Sequence, residues 1–214
     1  MSTQVSSRSA VLERVRAGIG DREDRAAAYA AIPRNYIRSG ALDAEACVAL
    51  MIERLREYDA EVVECSASEL PAAIATQLAR SSRHTFVAPE GLPVQWLADG
   101  FDWKIDRGLE EGEIEKAEGV VTAAFCGVAS SGTIVLHHSA QEGRRIITLL
   151  PDWHLCILRA SQIVETLPEY FGWCEQAPPL VTWISGPSAT ADIEMTRIKG
   201  VHGPRFLVVV LARD

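Results

Sequence analysis

Short apolar runs rich in β-branched residues recur along the chain and are separated by stretches of helical periodicity, an alternation that restricts the fold more than any other feature. From residue 61 the order reads as a strand over Glu61 to Cys65, a helix over Ser68 to Ala79, and a strand over His84 to Ala88 that Pro89 ends. A helical turn near Val94 to Ala98 follows, then FDWKID and the acidic, solvated segment EEGEIEKAEG. Three candidate strands come next, GVVTAAFCGVA, GTIVLHH and RRIITLL, then HLCILRA and a helix from Ser161 to Phe171. Leu180 to Ile184 and Phe206 to Leu211 close the series and read as buried strands of a parallel sheet, whose runs are continuously apolar. Upstream, a helix fits Leu42 to Tyr58, and SAVLERVRAGIGDREDRAAAYAAI reads as helical pieces broken near Gly18 and Gly20 and stopped by Pro33. The expectation is a helical N-terminal arm over residues 1–40 and a single α/β domain over 41–214, one sheet with covering helices.

Charge and composition exclude several classes. With 21 basic against 29 acidic residues the net charge is −8, which leaves no basic face for nucleic acid, and no Lys/Arg run suggests a membrane-surface helix. The opening MSTQVSSRSAVLERVRAG lacks the apolar core of a signal peptide and no stretch approaches a membrane span, so a cytoplasmic location is expected. The five cysteines, Cys47, Cys65, Cys126, Cys156 and Cys174, are scattered without iron–sulfur or zinc spacing and read as small buried fillers. His137, His138 and His154 lack the helical spacing of metal ligands, so no metal site is expected, and His154 reads as a core or edge histidine.

The chemistry-bearing residues cluster in turns. Between the last two apolar runs stand Ser188, Thr190, Asp192, Glu194 and His202, near one end of a sheet, where open α/β folds usually bind ligands. In ISGPSATADIE the Gly-Pro pair turns the chain out of a strand and Ser188 or Thr190 can cap the helix that follows, whose N-terminus is an anion site. An equal reading is that Ser188 and Asp192 only cap that helix and balance its dipole. His202, in the turn His202-Gly203-Pro204, suits general acid/base work because histidine titrates near neutrality. In SSGTIVLHH, Gly132 permits a tight turn whose N–H groups, with the Ser131 and Thr133 hydroxyls, form an anion nest, against the plainer reading of a hairpin turn. Arg144 and Arg145 precede a candidate strand, so one of them faces any site there and can clamp an anion, with a solvated strand end as an equal reading. No serine sits in a Gly-x-Ser-x-Gly elbow, which argues against a nucleophilic triad. Taken together, the Gly-Pro-Ser, His-Gly-Pro and Ser-Gly-Thr turns form three sides of an anion pocket.

GVVTAAF, SGTIVL, GRRIITLLPDWHLCIL, SQIVETLPE, ISGPSATADIE and GVHGPRFLVVVL, in this order, resemble the lactate utilization protein C family, the LUD-domain proteins once grouped as a domain of unknown function. The resemblance runs from about Gly119 to the end of the chain. It implies a NagB/RpiA/CoA-transferase-like fold, mainly parallel with helices on both faces. It also implies a role in bacterial oxidation of L-lactate to pyruvate as a ligand-binding subunit, with iron–sulfur clusters on partner subunits and no cofactor on this chain. Carried over by position, ligand binding falls on Ser131, Gly132 and Thr133, on Arg145, on Gly186, Pro187, Ser188 and Thr190, on the acidic pair Asp192 and Glu194, and on His202, Gly203 and Pro204. One departure matters: the family's Ala-Glu-Thr-Gly step is Ala129-Ser130-Ser131-Gly132 here, which removes an acidic side chain. Two other functions stand beside this one. The chain is alternatively a stand-alone enzyme or binding protein for a small phosphorylated or CoA-linked carboxylic acid, with Glu194 or His202 as base, or a non-catalytic protein whose alanine-rich arm docks a neighbour or another copy. The sequence leaves open whether the chain is itself an enzyme.

Overall fold

The computed structural model describes residues 7–19, 25–174, 176, 178–186, 200 and 202–213. The chain divides into two compact units, residues 1–36 and 37–214. The first holds α1 (Ser7–Ile19) and α2 (Arg25–Ala30). No residue of α1 is buried, and Val11, Leu12, Val15 and Ile19, spaced to share one side of the helix, are all exposed. Arg34 closes this unit, donating to the carbonyls of Ile32 and Tyr29 and lying over the Tyr29 ring.

The second unit runs α3 (Ala44–Glu57), β1 (Glu61–Ser66), α4 (Leu70–Arg80), β2 (Thr85–Pro89), β3 (Asp102–Asp106), α5 (Glu111–Glu115), β4 (Gly119–Ala123) and β5 (Cys126–Val128). It continues with β6 (Thr133–Leu136), β7 (Trp153–Arg159), β8 (Ile163–Val164), α6 (Leu167–Trp173), β9 (Thr182–Ile184) and β10 (Phe206–Arg213). Six strands form a wholly parallel sheet in the order β1-β10-β7-β4-β2-β3. Four short strands form a second sheet, β8-β5-β6-β9, antiparallel except where β8 meets β5.

Strand alternation sorts the core into two faces. On one, Trp153, Leu155 and Ile157 of β7 and Val208, Val210 and Ala212 of β10 pack under Leu70, Ile74 and Leu78 of α4. On the other, Cys156 and Leu158 of β7 and Val209 of β10 meet Cys47, Met51 and Leu55 of α3, together with Ile134 and Leu136 from the second sheet. Val87 and Val120 face the same way as this second group and are covered by Ile114 of α5. Helices therefore lie on both faces, as the resemblance implies. Among the described residues no helix is long and apolar enough to cross a membrane.

Three expectations require correction. RRIITLL forms no strand: Arg145–Thr148 is a 3-10 turn, because Ile147 packs sideways against α5 while Arg144 is tied to Asp106. Short apolar runs do not by themselves distinguish strand from buried turn. The helix expected over Ser161 to Phe171 is instead a 3-10 turn, the two-residue β8, and α6 from Leu167, since Pro168 is acceptable only in a first helical turn, here capped by Thr166 and Glu169. Leu180 to Ile184 is not a strand of the parallel sheet. Its ordered part, β9, pairs antiparallel with β6 at the edge of the second sheet, with Trp183 40% exposed.

The carboxyl ends of β2, β3 and β4 are covered by the chain after β6. Ala123 and Gly91 donate backbone N–H groups to the carbonyls of Gln141 and Ala140. Arg144 grips Asp106 with two hydrogen bonds, Nε to Oδ2 at 2.8 Å and Nη2 to Oδ1 at 2.6 Å. The Asp106 side chain is 2% exposed and also accepts from the N–H groups of Gly108 and Leu109. The Arg144 guanidinium, followed by these two N–H groups, holds the carboxyl below its usual range.

Two predictions follow from these buried groups. Arg144→Ala leaves the Asp106 carboxylate short of partners and lowers unfolding stability by about 2 kcal/mol in urea titrations. Because the carboxyl titrates lower in the folded chain, that difference is present above about pH 4 and shrinks as pH falls further. His154, fully enclosed, is pushed by burial from 6.5 down to about 4. Its unfolded form binds a proton first, so stability falls as pH drops from 6.5 toward 4, by about 3 kcal/mol, and His154→Leu flattens that part of the stability–pH curve.

Candidate functional site

A cavity of about 330 Å³ opens at the amino ends of β7 and β10. Ligands of open parallel sheets usually sit outside the carboxyl ends. Here the segment 139–144 covers those ends of β2, β3 and β4, and the cavity lies at the opposite end of the strands. Among its lining residues Leu55 and His154 are each 1% exposed, and His154 pairs in register with Leu207 of β10, another lining residue. Leu55 and Tyr58 approach from the end of α3, Ser185 and Gly186 from the chain just past β9, and His202 and Arg205 from the turn that enters β10.

One wall is fixed by a chain of hydroxyls. Thr133 opens β6 and lies 2.7 Å from both Ser131 and Ser185, oxygen to oxygen. Antiparallel pairing of Ile134 with Ile184 brings these residues together, because Thr133 and Ser185 then face each other one step further along. Tyr58 donates its hydroxyl proton to the Ser131 carbonyl at 3.0 Å, fastening α3 to the turn. Two positions in this wall require glycine. Gly132 has φ of 61°, and a Cβ there would lie 2.6 Å from the Cβ of Arg54; Gly186 has φ of 80°, and a Cβ would lie 2.5 Å from the Tyr58 ring.

Of the residues singled out in the sequence, Gly132, Gly186, His202, Gly203 and Pro204 line the cavity, and Ser131 and Thr133 join it through Ser185. Arg145 is exposed and its side chain is not among the lining groups; its carbonyl accepts from the hydroxyl of Thr148, which is. Pro187, Ser188, Thr190, Asp192 and Glu194 lie outside the described residues. Ser130, where the family carries an acidic residue, is exposed, and its N–H donates to the Glu165 carbonyl.

Four contributors were not singled out: Tyr58, His154, Ser185 and Arg205. Arg205 was legible as the cation beside His-Gly-Pro. In the structure it binds Asp152 through Nε at 2.6 Å and Nη2 at 2.9 Å, and the residue lines the cavity. His154 had a signal too, as a single histidine opening an apolar strand. Its Nε2 lies 2.8 Å from the Thr122 hydroxyl, so it is the hydrogen-bonded core histidine that the sequence suggests, with one edge on a cavity.

The paired histidines after β6 serve the scaffold. His137 stacks on Phe125 at 3.6 Å between centroids and its Nε2 meets the Tyr170 hydroxyl at 2.8 Å. Burial lowers its affinity for a proton. His138 bridges the Gly143 carbonyl and the Thr182 hydroxyl, and the buried carboxylate of Glu142 accepts from the His137 N–H and the Ser139 hydroxyl. Among the described residues no three His, Cys, Asp or Glu side chains are grouped to hold a metal. Burial raises the thiols of Cys126 and Cys156 to about 12, which keeps them protonated and inert.

The sequence matches the LUD domain over residues 48–212. Lactate utilization protein C of Deinococcus radiodurans is 41% identical over 164 residues, 74% of this chain and 76% of that one. Lactate utilization protein C of Bacillus subtilis is 26% identical over 239 residues, 98% of each chain. The crystal structure of a DUF162 family protein from Deinococcus radiodurans superposes with a TM-score of 0.69 at 34% identity, covering 80% of this chain and 99% of that one. With the match spanning most of the α/β unit and the parallel sheet shared with that neighbour, this chain belongs to the LUD domain family.

Proposed function

We propose that this chain is the ligand-binding subunit of a bacterial system that oxidises L-lactate to pyruvate, beside partner subunits that carry the iron–sulfur clusters. The observation that carries the reading is its relationship to the lactate utilization protein C of two bacteria, across most of both chains in each case. The cavity supplies a site of suitable size, since about 330 Å³ is at the lower end for small-molecule pockets and favours an unactivated acid over a CoA-linked one.

The residues present can hold a small carboxylate. Ser185 lines the cavity and brings a hydroxyl that can donate to a carboxylate, and Arg205, paired to Asp152, brings a cation to the same lining. The Ser131 and Thr133 hydroxyls stand behind Ser185 and fix its orientation. His202, exposed at the cavity, is the candidate acid/base among the described residues, and Glu194 is the other candidate. Oxidation of the C2 alcohol releases two protons and two electrons; clusters on partner subunits would supply the electron acceptor, and this chain would orient the acid and receive protons.

Two experiments test this reading. Deleting the gene abolishes growth on L-lactate and leaves growth on pyruvate intact, and the tagged chain brings down iron–sulfur proteins; unimpaired growth on L-lactate contradicts the assignment. In calorimetric titrations L-lactate binds saturably, and Ser185→Val weakens it about tenfold by removing one hydrogen bond from an enclosed anion. Gly186→Ala, which drives a methyl group into the Tyr58 ring, weakens it as well. Unchanged affinity in both variants places the ligand elsewhere.

A further inference from the structure

One side chain joins the two turns that make the hydroxyl wall of the cavity. Met51 and Leu55 anchor α3 in the core, and Tyr58 ends that helix with its backbone N–H on the Leu55 carbonyl. The residue lines the cavity, yet its hydroxyl proton goes to the Ser131 carbonyl at 3.0 Å. A phenol has one proton to give, so Tyr58 has none left for a ligand carboxylate.

The ring of Tyr58 is a wedge between the two turns. A Cβ placed on Gly186 would fall 2.5 Å from Cδ1 of the ring, and one placed on Gly132 would fall 3.1 Å from Cε2. Those two atoms are opposite corners of a phenol ring, so the ring fills the space between the glycines. Both glycines have positive φ, 61° at Gly132 and 80° at Gly186, so each turn is built to pass close to its neighbours without a side chain of its own. A second route joins the same turns: the Thr133 hydroxyl oxygen lies 2.7 Å from those of both Ser131 and Ser185. Tyr58, Ser131, Thr133, Ser185 and Gly186 therefore form a closed loop of contacts, which starts and ends on a residue held by a buried helix.

A hydroxyl binds a carboxylate more tightly when its place is set before the ligand arrives, because less freedom is lost on binding. Ser185 is the hydroxyl that the lactate reading puts on the carboxylate, and its neighbours in the loop fix where it stands. We infer that Tyr58 is the positioning residue of this site: tied to the Gly132 turn by its hydroxyl and packed on the Gly186 turn by its ring, it presets Ser185 for a small carboxylate without donating to the ligand itself. The inference rests on the lactate reading of the cavity and adds to it a residue that acts only through another.

The test is titration of the full chain with L-lactate, followed by amide NMR so that weak binding is also read, for wild type, Tyr58→Phe, Ser185→Val and the double variant. Tyr58→Phe keeps the wedge and removes the tie to Ser131, and it weakens L-lactate about fivefold, within the range of one hydrogen bond. A residue that acts through Ser185 loses its effect once Ser185 is gone, so in the Ser185→Val background Tyr58→Phe changes the affinity by less than about twofold. Outside the two turns the amide spectrum of Tyr58→Phe matches wild type, which shows that affinity is lost without loss of the fold. An affinity unchanged by Tyr58→Phe, a loss that persists in full in the Ser185→Val background, or a spectrum altered throughout the chain overturns the positioning role and leaves Tyr58 as packing. No binding of L-lactate by wild type overturns the lactate reading of the cavity and this inference with it.

Discussion

Burial of β7 on both faces is the constraint on which the rest depends. It lies between β10 and β4, with the α4 face on one side and the α3 face on the other, so every side chain from Trp153 to Leu158 is enclosed. A strand in that position admits a polar side chain only where a partner awaits it. The histidine at its start meets this condition through Thr122, and the threonine through Cys156. That requirement gives His154 a fixed ring, a neutral state and one edge on a cavity.

The second sheet explains why the cavity sits where it does. Two of its strands, β5 and β6, follow β4 and the other two, β8 and β9, follow β7, so that the turn at Gly132 and the end of β9 come to rest beside Tyr58. From β6 the chain returns through residues 139–144 across the carboxyl ends of β2, β3 and β4, locked by Arg144 on Asp106. The connection from β4 to β7 therefore closes the usual ligand end of β2, β3 and β4, and together with the connection from β7 to β10 it builds a wall at the opposite end of the sheet.

Much of this was legible in the residues, for identifiable reasons. The strands β1, β2, β7 and β10 and the helices α3 and α4 follow period and composition because local pattern and burial agree there. The turn at Gly132 and its flanking hydroxyls could be found because glycine between small polar residues has few other uses. The second sheet was not legible: its strands are three or four residues long or shorter, and their pairing, not their pattern, defines them. GVVTAAFCGVA reads as one strand, but Ala123 belongs to one sheet and Cys126 to the other. Ser185 and Tyr58 could not be assigned to a site for the same reason, since their place depends on the β6–β9 register and on the end of a distant helix. His154 was visible as a residue and correctly read as a core histidine, but the partner of its Nε2 is a threonine 32 positions away.

The measurement that tests the central claim most directly is a crystal structure of the full chain grown with L-lactate. The account predicts lactate in the cavity at the amino ends of β7 and β10, its carboxylate on Ser185 beside the turn at Gly186. Lactate bound outside that cavity, or within it away from Ser185, would contradict it.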